Sequence, residues 1–169
     1  MAETSVAVVM LIHNRLERTL DSLRELQALP ERPPIVVVDN ASRNGTPAAV
    51  RSNFPPVQVI ELPENIGAAA RNCGVGAVDT PYVAFSDDDS WWAPSALSRA
   101  ADAFHRHPRL GAVHARVLAG EKEREDPICE ELRDSPLAGD LRLARHARAR
   151  LLACAIVFRR SAFEAVGGF

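Results

Sequence analysis

Ile35-Val36-Val37-Val38-Asp39-Asn40 is a run of β-branched and apolar side chains closed by two polar ones. A strand of this kind has no polar face, so it must be covered on both sides, which is the position of a central strand in a parallel sheet. Reading upstream, Pro30, Pro33 and Pro34 end a helix in which Leu16, Leu20, Leu23 and Leu26 recur at spacings of three and four, with Asn14 as its cap. Before it, residues 6–12 form an apolar strand that runs into His13-Asn14-Arg15. Reading downstream, residues 40–47 are loop material with Asn44-Gly45 as the turn signal, followed by a short helix to about Asn53 and a strand at 57–62. Pro63 to Asn65 breaks the chain ahead of a small-residue helix at 67–77, and 82–86 is the next strand. A helix opens at Pro94 with Leu97, Ala101 and Phe104 inward, and 110–118 and 151–158 read as two further strands. The charged, proline-containing stretch between them reads as loop. Ser161-x-x-Glu164 has the spacing of a capping box, and Gly167-Gly168 is a helix stop. Strands alternating with helices predict an α/β fold, a mainly parallel sheet flanked by helices.

Composition narrows the class. The 169 residues suit one domain, which at this size hides roughly 70% of its unfolded surface. Apolar content of 47% and charged content of 25% are those of a soluble globular chain. A net charge of −2 speaks against a general nucleic-acid partner. The cysteines, Cys73, Cys129 and Cys154, are scattered and odd in number, unlike a disulfide framework or zinc site, and suit a reducing cytoplasm. The apolar run at 6–12 is too short to span a membrane and lacks the marks of a secretion signal, so no transmembrane segment is expected.

Ligands of an open parallel sheet collect outside the carboxyl ends of its strands. Polar residues stand at those ends here: His13-Asn14-Arg15, Asp39-Asn40, Glu64-Asn65 and Asp87-Asp88-Asp89. Consecutive carboxylates in a half-buried crevice are costly to ionise without a counter-charge. A divalent cation supplies one, because Mg2+ and Mn2+ take oxygen ligands, typically one or two carboxylates together with substrate phosphates. In extended geometry Asp87 and Asp89 point to one side and Asp88 to the other; a solvated acidic loop is the competing reading. Asp39 is placed to accept from ribose hydroxyls or a base N–H, or else caps its own turn. Asn65-x-Gly67 opens a helix of small residues whose free N–H groups suit an anion. Arg71, one turn in, can reach a diphosphate or pair with the acidic triplet, unless it is a surface arginine on a packed helix.

Trp91 or Trp92 could stack on a sugar ring, although at least one is expected to pack. Arg142, Arg145, Arg148 and Arg150, with His146, form either a solvated basic face or a patch for a phosphorylated or membrane-linked acceptor. His105, His107 and His114 have no acidic or cysteine partners at ligand spacing.

Taken in order, these elements resemble the inverting family 2 glycosyltransferases of the GT-A fold, which is Rossmann-like. The resemblance is carried by Leu11-Ile12-His13-Asn14-Arg15, by Val38-Asp39-Asn40-Ala41-Ser42-Arg43-Asn44-Gly45-Thr46, and by Asn65-Ile66-Gly67 through Ala70-Arg71-Asn72-Cys73-Gly74. It continues through Asp87-Asp88-Asp89 with Pro94 behind it, and closes on Phe158-Arg159-Arg160, Phe163-Glu164 and Gly167-Gly168-Phe169. His13 stands where the family usually has tyrosine, and Leu11-Ile12 where it has Pro-Thr.

The resemblance implies a nucleoside-diphosphate sugar donor and a glycan, lipid or small-molecule acceptor, with Mn2+ or Mg2+ as cofactor. It implies donor contacts from His13, Asn14, Asp39, Asn40, Asn65, Arg71, Asp87 and Asp88. Asp89 is implied as the direct metal ligand, with Asp87 beside it. The family's catalytic base, an acidic residue, follows the Gly-Gly-Phe element, so it is expected beyond Phe169. Residues 1–169 are accordingly expected to be one nucleotide-sugar-binding domain, incomplete at its C-terminus and weak or silent in turnover alone. The rivals are a donor-binding fragment without catalysis and a Rossmann-type oxidoreductase. The second needs a Gly-x-Gly-x-x-Gly turn after the first strand, where this chain has Ile12-His13-Asn14-Arg15.

Overall fold

Hydrophobic alternation at two scales builds the molecule. A computed structural model describes residues 5–133 and 151–169; the basic cluster from Arg142 to Arg150 lies outside the described residues. Strand β1 (Val6–Ile12) lies between β2 (Ile35–Asp39) and β4 (Tyr82–Asp87), and β3 (Gln58–Glu61) extends the sheet beyond β2, with every one of these pairings parallel. Two later strands complete the sheet in the order β3-β2-β1-β4-β8-β5. They are β5 (Ala112–His114) and β8 (Ile156–Arg159), and both of the joins β8 makes are antiparallel.

The expected covering of both faces is borne out. Val8, Met10 and Ile12 of β1 with Ile35 and Val37 of β2 pack under α1 (Leu16–Gln27), α2 (Thr46–Asn53) and α4 (Ala96–Arg106), through Leu20, Leu23, Leu26, Val50, Leu97 and Phe104. The alternate residues Ala7, Val9, Val36 and Val38 pack under α3 (Ala70–Val75) and α6 (Arg160–Ala165), through Ala70, Val75 and Phe163. Each buried Val, Leu, Ile, Met or Phe among them contributes roughly 1.5–3 kcal/mol. Helix α3 lies directly on the strands at Gly74: a Cβ there would overlap Val9 and come within 2.9 Å of Val38 Cγ2. That close approach sets the height of Arg71 above the strand ends.

Several boundaries differ from expectation. Asn14 is not the cap of α1. Arg15 holds the cap position without a side-chain bond, and the Asn14 side chain accepts from Arg43 N–H instead. Helix α4 begins at Ala96, because Pro94 and Ser95 form a turn with Ser95 at φ 65°. The strand expected over 110–118 divides into β5 and β6 (Leu118–Ala119). The latter pairs with β7 (Arg124–Glu125) in a separate hairpin, because Val117 is drawn off the sheet by Cys129 Sγ and Asp126 N–H on the approach to α5 (Pro127–Arg133). In the stretch expected over 151–158, residues Ala153–Ala155 form a 3-10 turn ahead of β8. Ser161 makes no capping bond, since α6 already starts at Arg160.

Candidate functional site

Register places the acidic strand ends on one rim. Ile12 is paired with Asp39, and Leu11 with Asp87, so the two aspartates flank β1 at its carboxyl end. Two inter-strand spacings put them roughly 10 Å apart.

On the β2 flank, Asp39 is 1% exposed. Its Oδ2 accepts from Ser42 N–H at 2.9 Å, while Oδ1 is buried with no hydrogen-bond partner. The loops around it are tied by reciprocal bonds: Asn14 N–H donates to Ser42 Oγ, and Arg43 N–H to Asn14 Oδ1. These bonds hold Asn14 and Ala41 in left-handed backbone conformations, at φ 56° and 63°. Asn40 is buried and spans two further segments. Its Nδ2 donates to Asn65 Oδ1 at 2.7 Å and to Gly67 O at 3.2 Å, and its Oδ1 accepts from Ile66 N–H at 2.9 Å. Gly67 sits at φ +64°, where a side chain would be strained. His13 Nδ1 lies 2.8 Å from Asn40 O, and Asn14 Nδ2 lies 3.0 Å from His13 Nε2. This neighbourhood assigns the ring hydrogen to Nδ1. His13, Asn14, Ser42, Arg43, Glu64 and Asn65 line an open hollow of about 570 Å³.

The β4 flank is held by charge. Arg71, 6% exposed, pairs with Asp87, and its guanidinium also lies 5.4 Å from the Phe169 ring centroid. Asn72 clamps the Phe169 backbone at both N–H and C=O, so the Gly-Gly-Phe end is fastened to α3. Strand β4 ends at Asp87, whose N–H donates to Ser90 Oγ at 2.8 Å, and the chain turns at once. The turn overrides simple alternation. Asp88 and Asp89 both face Arg15, whose Nη1 is 3.2 Å from Asp88 Oδ1 and 3.0 Å from Asp89 Oδ2. Asp88 therefore shares a partner with Asp89 instead of standing on the opposite side from it.

Burial pushes the Asp88 carboxyl above its usual range; Arg15 opposes the shift and the neighbouring Asp89 charge adds to it. Asp88 also accepts from the His13 backbone N–H, and Ser22 Oγ donates to its carbonyl. Cys154 joins the same rim, its thiol pushed up by burial and then by Asp87, with Ser90 as a hydrogen-bond partner.

All the residues expected at the site thus stand on this rim: His13, Asn14, Asp39, Asn40 and Asn65 on one flank, Arg71, Asp87, Asp88 and Asp89 on the other. Trp92 is buried and Trp91 is 54% exposed, in line with at least one of them packing. Sequence reading placed Arg15 at a strand end and Ser42, Asn72 and Phe169 in motifs but gave none of them a role, and it did not bring Cys154 to the site. For Arg15 a signal existed, a cation at the end of a strand beside an acidic strand end.

Among the described residues no three His, Cys, Asp or Glu side chains converge as a metal cage. The donor set suits a different kind of site. It offers carboxylate oxygens on partly exposed Asp87 and Asp89, the ligand type of a Mg2+ or Mn2+ whose shell is completed by phosphates.

Known proteins resemble this chain in sequence and in fold. The sequence model of glycosyl transferase family 2 matches residues 7–167. The chain is 31% identical over 122 residues to the N-acetylglucosaminyl-diphospho-decaprenol L-rhamnosyltransferase of Mycobacterium tuberculosis, covering 64% of this chain and 38% of that protein. It is 31% identical over 182 residues to the pre-mycofactocin glycosyltransferase of the same organism, covering 97% and 35%. Among solved structures, the mannosyltransferase PcManGT from Pyrobaculum calidifontis, in complex with GDP-Man and Mn2+, matches with a TM-score of 0.68 and 28% identity, over 98% of this chain and 47% of that one. Residues 1–349 of S. aureus TarS, in complex with UDP-GlcNAc, match with a TM-score of 0.70 at 17% identity, over 96% and 47%, a likeness of fold alone. The chain spans less than half the length of these relatives.

Proposed function

The chain belongs to glycosyl transferase family 2, whose sequence model covers residues 7–167, and from that premise we propose that it binds a nucleoside-diphosphate sugar across the ends of β2, β1 and β4. The sugar then passes to a hydroxyl of a glycan, lipid or small-molecule acceptor with inversion. One observation carries the reading: a buried carboxylate with an unused acceptor, Asp39 Oδ1, stands on the same rim as partly exposed carboxylates and a buried arginine.

Asp39 Oδ1 takes a base N–H or a ribose hydroxyl, since a buried acceptor without a partner is costly until a donor arrives. His13, Asn14 and Asn65 wall the base hollow, and Asn40 holds that wall in shape. Arg71, already charged and desolvated, faces the diphosphate from the Asp87 side. Asp89, with Asp87, offers oxygens to Mn2+ or Mg2+, which when bound supplies neutralisation of the charge growing on the leaving diphosphate. Asp88 orients the rim through Arg15. The complex of PcManGT with GDP-Man and Mn2+ supports both the donor class and the cation. No helix among the described residues is long and apolar enough to cross a membrane. Free Cys73, Cys129 and Cys154 support a reducing cytoplasm as the site of action.

A thermal-shift panel of UDP, GDP and dTDP, each with and without Mn2+, tests the reading. A nucleotide at 100 times its dissociation constant adds about 2.7 kcal/mol to stability. The gain should require the metal and disappear in Asp89→Ala. Equal stabilisation of Asp89→Ala by metal-free nucleotide rejects the cation bridge.

A further inference from the structure

We propose that Arg15 is a built-in counter-ion that competes with the divalent cation for Asp89, while an anchor on Asp88 keeps it in the site; this inference rests on the donor-site reading above. A single nitrogen, Arg15 Nη1, serves both carboxylates, at 3.2 Å from Asp88 Oδ1 and 3.0 Å from Asp89 Oδ2. The two partners are unequal. The Asp88 side chain is 11% exposed and also takes the His13 N–H, whereas Asp89 is 40% exposed and has Arg15 as its hydrogen-bond partner among the described residues. The Asp89 contact is therefore the one that gives way.

Arg15 itself has room to move. Its side chain is 54% exposed, it makes no capping bond to α1, and it borders an open hollow of about 430 Å³ with Arg18 and Asp89. The guanidinium holds adjacent carboxylates together that would otherwise repel. A hydrated dication gains little from one carboxylate already neutralised in this way. With nucleotide phosphates completing a dication's shell, Arg15 would yield Asp89 and, still on Asp88, would have a donor free for an anionic ligand. Arg15 thus makes cation binding more dependent on nucleotide. It acts as a positioning residue.

Titration of Mn2+ followed by electron paramagnetic resonance tests this in wild type, Arg15→Gln and Arg15→Lys, each with no nucleotide, GDP, UDP or dTDP. Without nucleotide, Arg15→Gln should bind Mn2+ roughly fivefold more tightly than wild type, the scale of one exposed ion pair. Arg15→Lys should return most of the way to wild type, and Asp89→Ala added to Arg15→Gln should abolish the gain. With GDP or UDP the gap between wild type and Arg15→Gln should narrow. A structural lesion loosens the site and weakens binding, so a gain in affinity is diagnostic. Unchanged or weaker Mn2+ binding by Arg15→Gln overturns the counter-ion role and leaves the donor site standing. If none of GDP, UDP and dTDP brings Mn2+ to wild type beyond what the nucleotide chelates alone, the donor-site reading fails and this inference with it.

Discussion

The two flanks of β1 are built by different forces. On the β2 side, Asp39 has no salt bridge among the described residues, and the loops around it are shaped by amide and hydroxyl hydrogen bonds from Asn14, Asn40, Ser42 and Asn65. On the β4 side, Asp87, Asp88 and Asp89 are balanced by Arg71 and Arg15. Hydrogen bonds are short and directional, so the first flank has one shape whether or not a ligand is present. Ion pairs at a partly exposed rim are worth little each and are screened by salt, so the second can exchange partners. A rigid hollow for a base beside an exchangeable charge cluster for a diphosphate is a division suited to holding one end of a donor while the other end reacts.

The sharpest break of this comparison is Asn40→Ala. It strips the partners from Ile66 N–H and Gly67 O and leaves Asn65 Oδ1 with only the Gly67 N–H among the described residues. Only Asn40 itself is buried, and Ile66 and Gly67 are exposed, so water recovers much of the 1–3 kcal/mol that each unpaired group would cost, and a loss of about 2.5 kcal/mol is expected in denaturant melts. A loss below about 1 kcal/mol on the same scale would show that the hollow is shaped by something else.

Arg71→Met keeps the packing volume and removes the charge. Asp87 is left without its buried cation and Phe169 without its guanidinium neighbour. Partial exposure of Asp87 discounts the cost of an unpaired buried charge to about 2 kcal/mol, and nucleotide affinity should fall with it. A variant as stable as wild type would mean that the ionic flank is not supported by this pair.

Asp39→Asn has the smallest expected effect on the fold and the most specific effect on the ligand. The amide oxygen can keep the Ser42 N–H, while an NH2 replaces the unused Oδ1 acceptor. Stability should move by no more than about 0.5 kcal/mol, whereas nucleoside diphosphate affinity measured by calorimetry should drop about tenfold, or ~1.4 kcal/mol. Undiminished affinity would remove Asp39 from the base or ribose contact and leave the flank merely structural.

Much of this was legible in the chain because its signals are local. The apolar run ending at Asp39, the leucine period of α1 and the Asn44-Gly45 turn each depend on neighbours a few residues away. So does the acidic triplet behind a strand. What escaped reading depends on partners far along the chain. Arg15 meets Asp88 across 73 residues, and Phe169 meets Asn72 across 97. The split of 110–118 follows from a contact between Val117 and Cys129, which no periodicity encodes. Asp88 turned to the side of Asp89 because β4 stops at Asp87, and a strand's end is where alternation ceases to apply.

Sequence by itself determined that a mainly parallel sheet would present Asp39 and the Asp87-Asp88-Asp89 triplet at strand ends, because apolar patterning selects strands and their polar terminators. Tertiary structure decided which charges neutralise which, that β8 and β5 join antiparallel, and that the Gly-Gly-Phe end fastens to α3 beneath Arg71. Those outcomes are set by register and by packing between segments distant in the chain, and the energy of an ion pair or a ring contact exists only once the backbone has brought its two halves together.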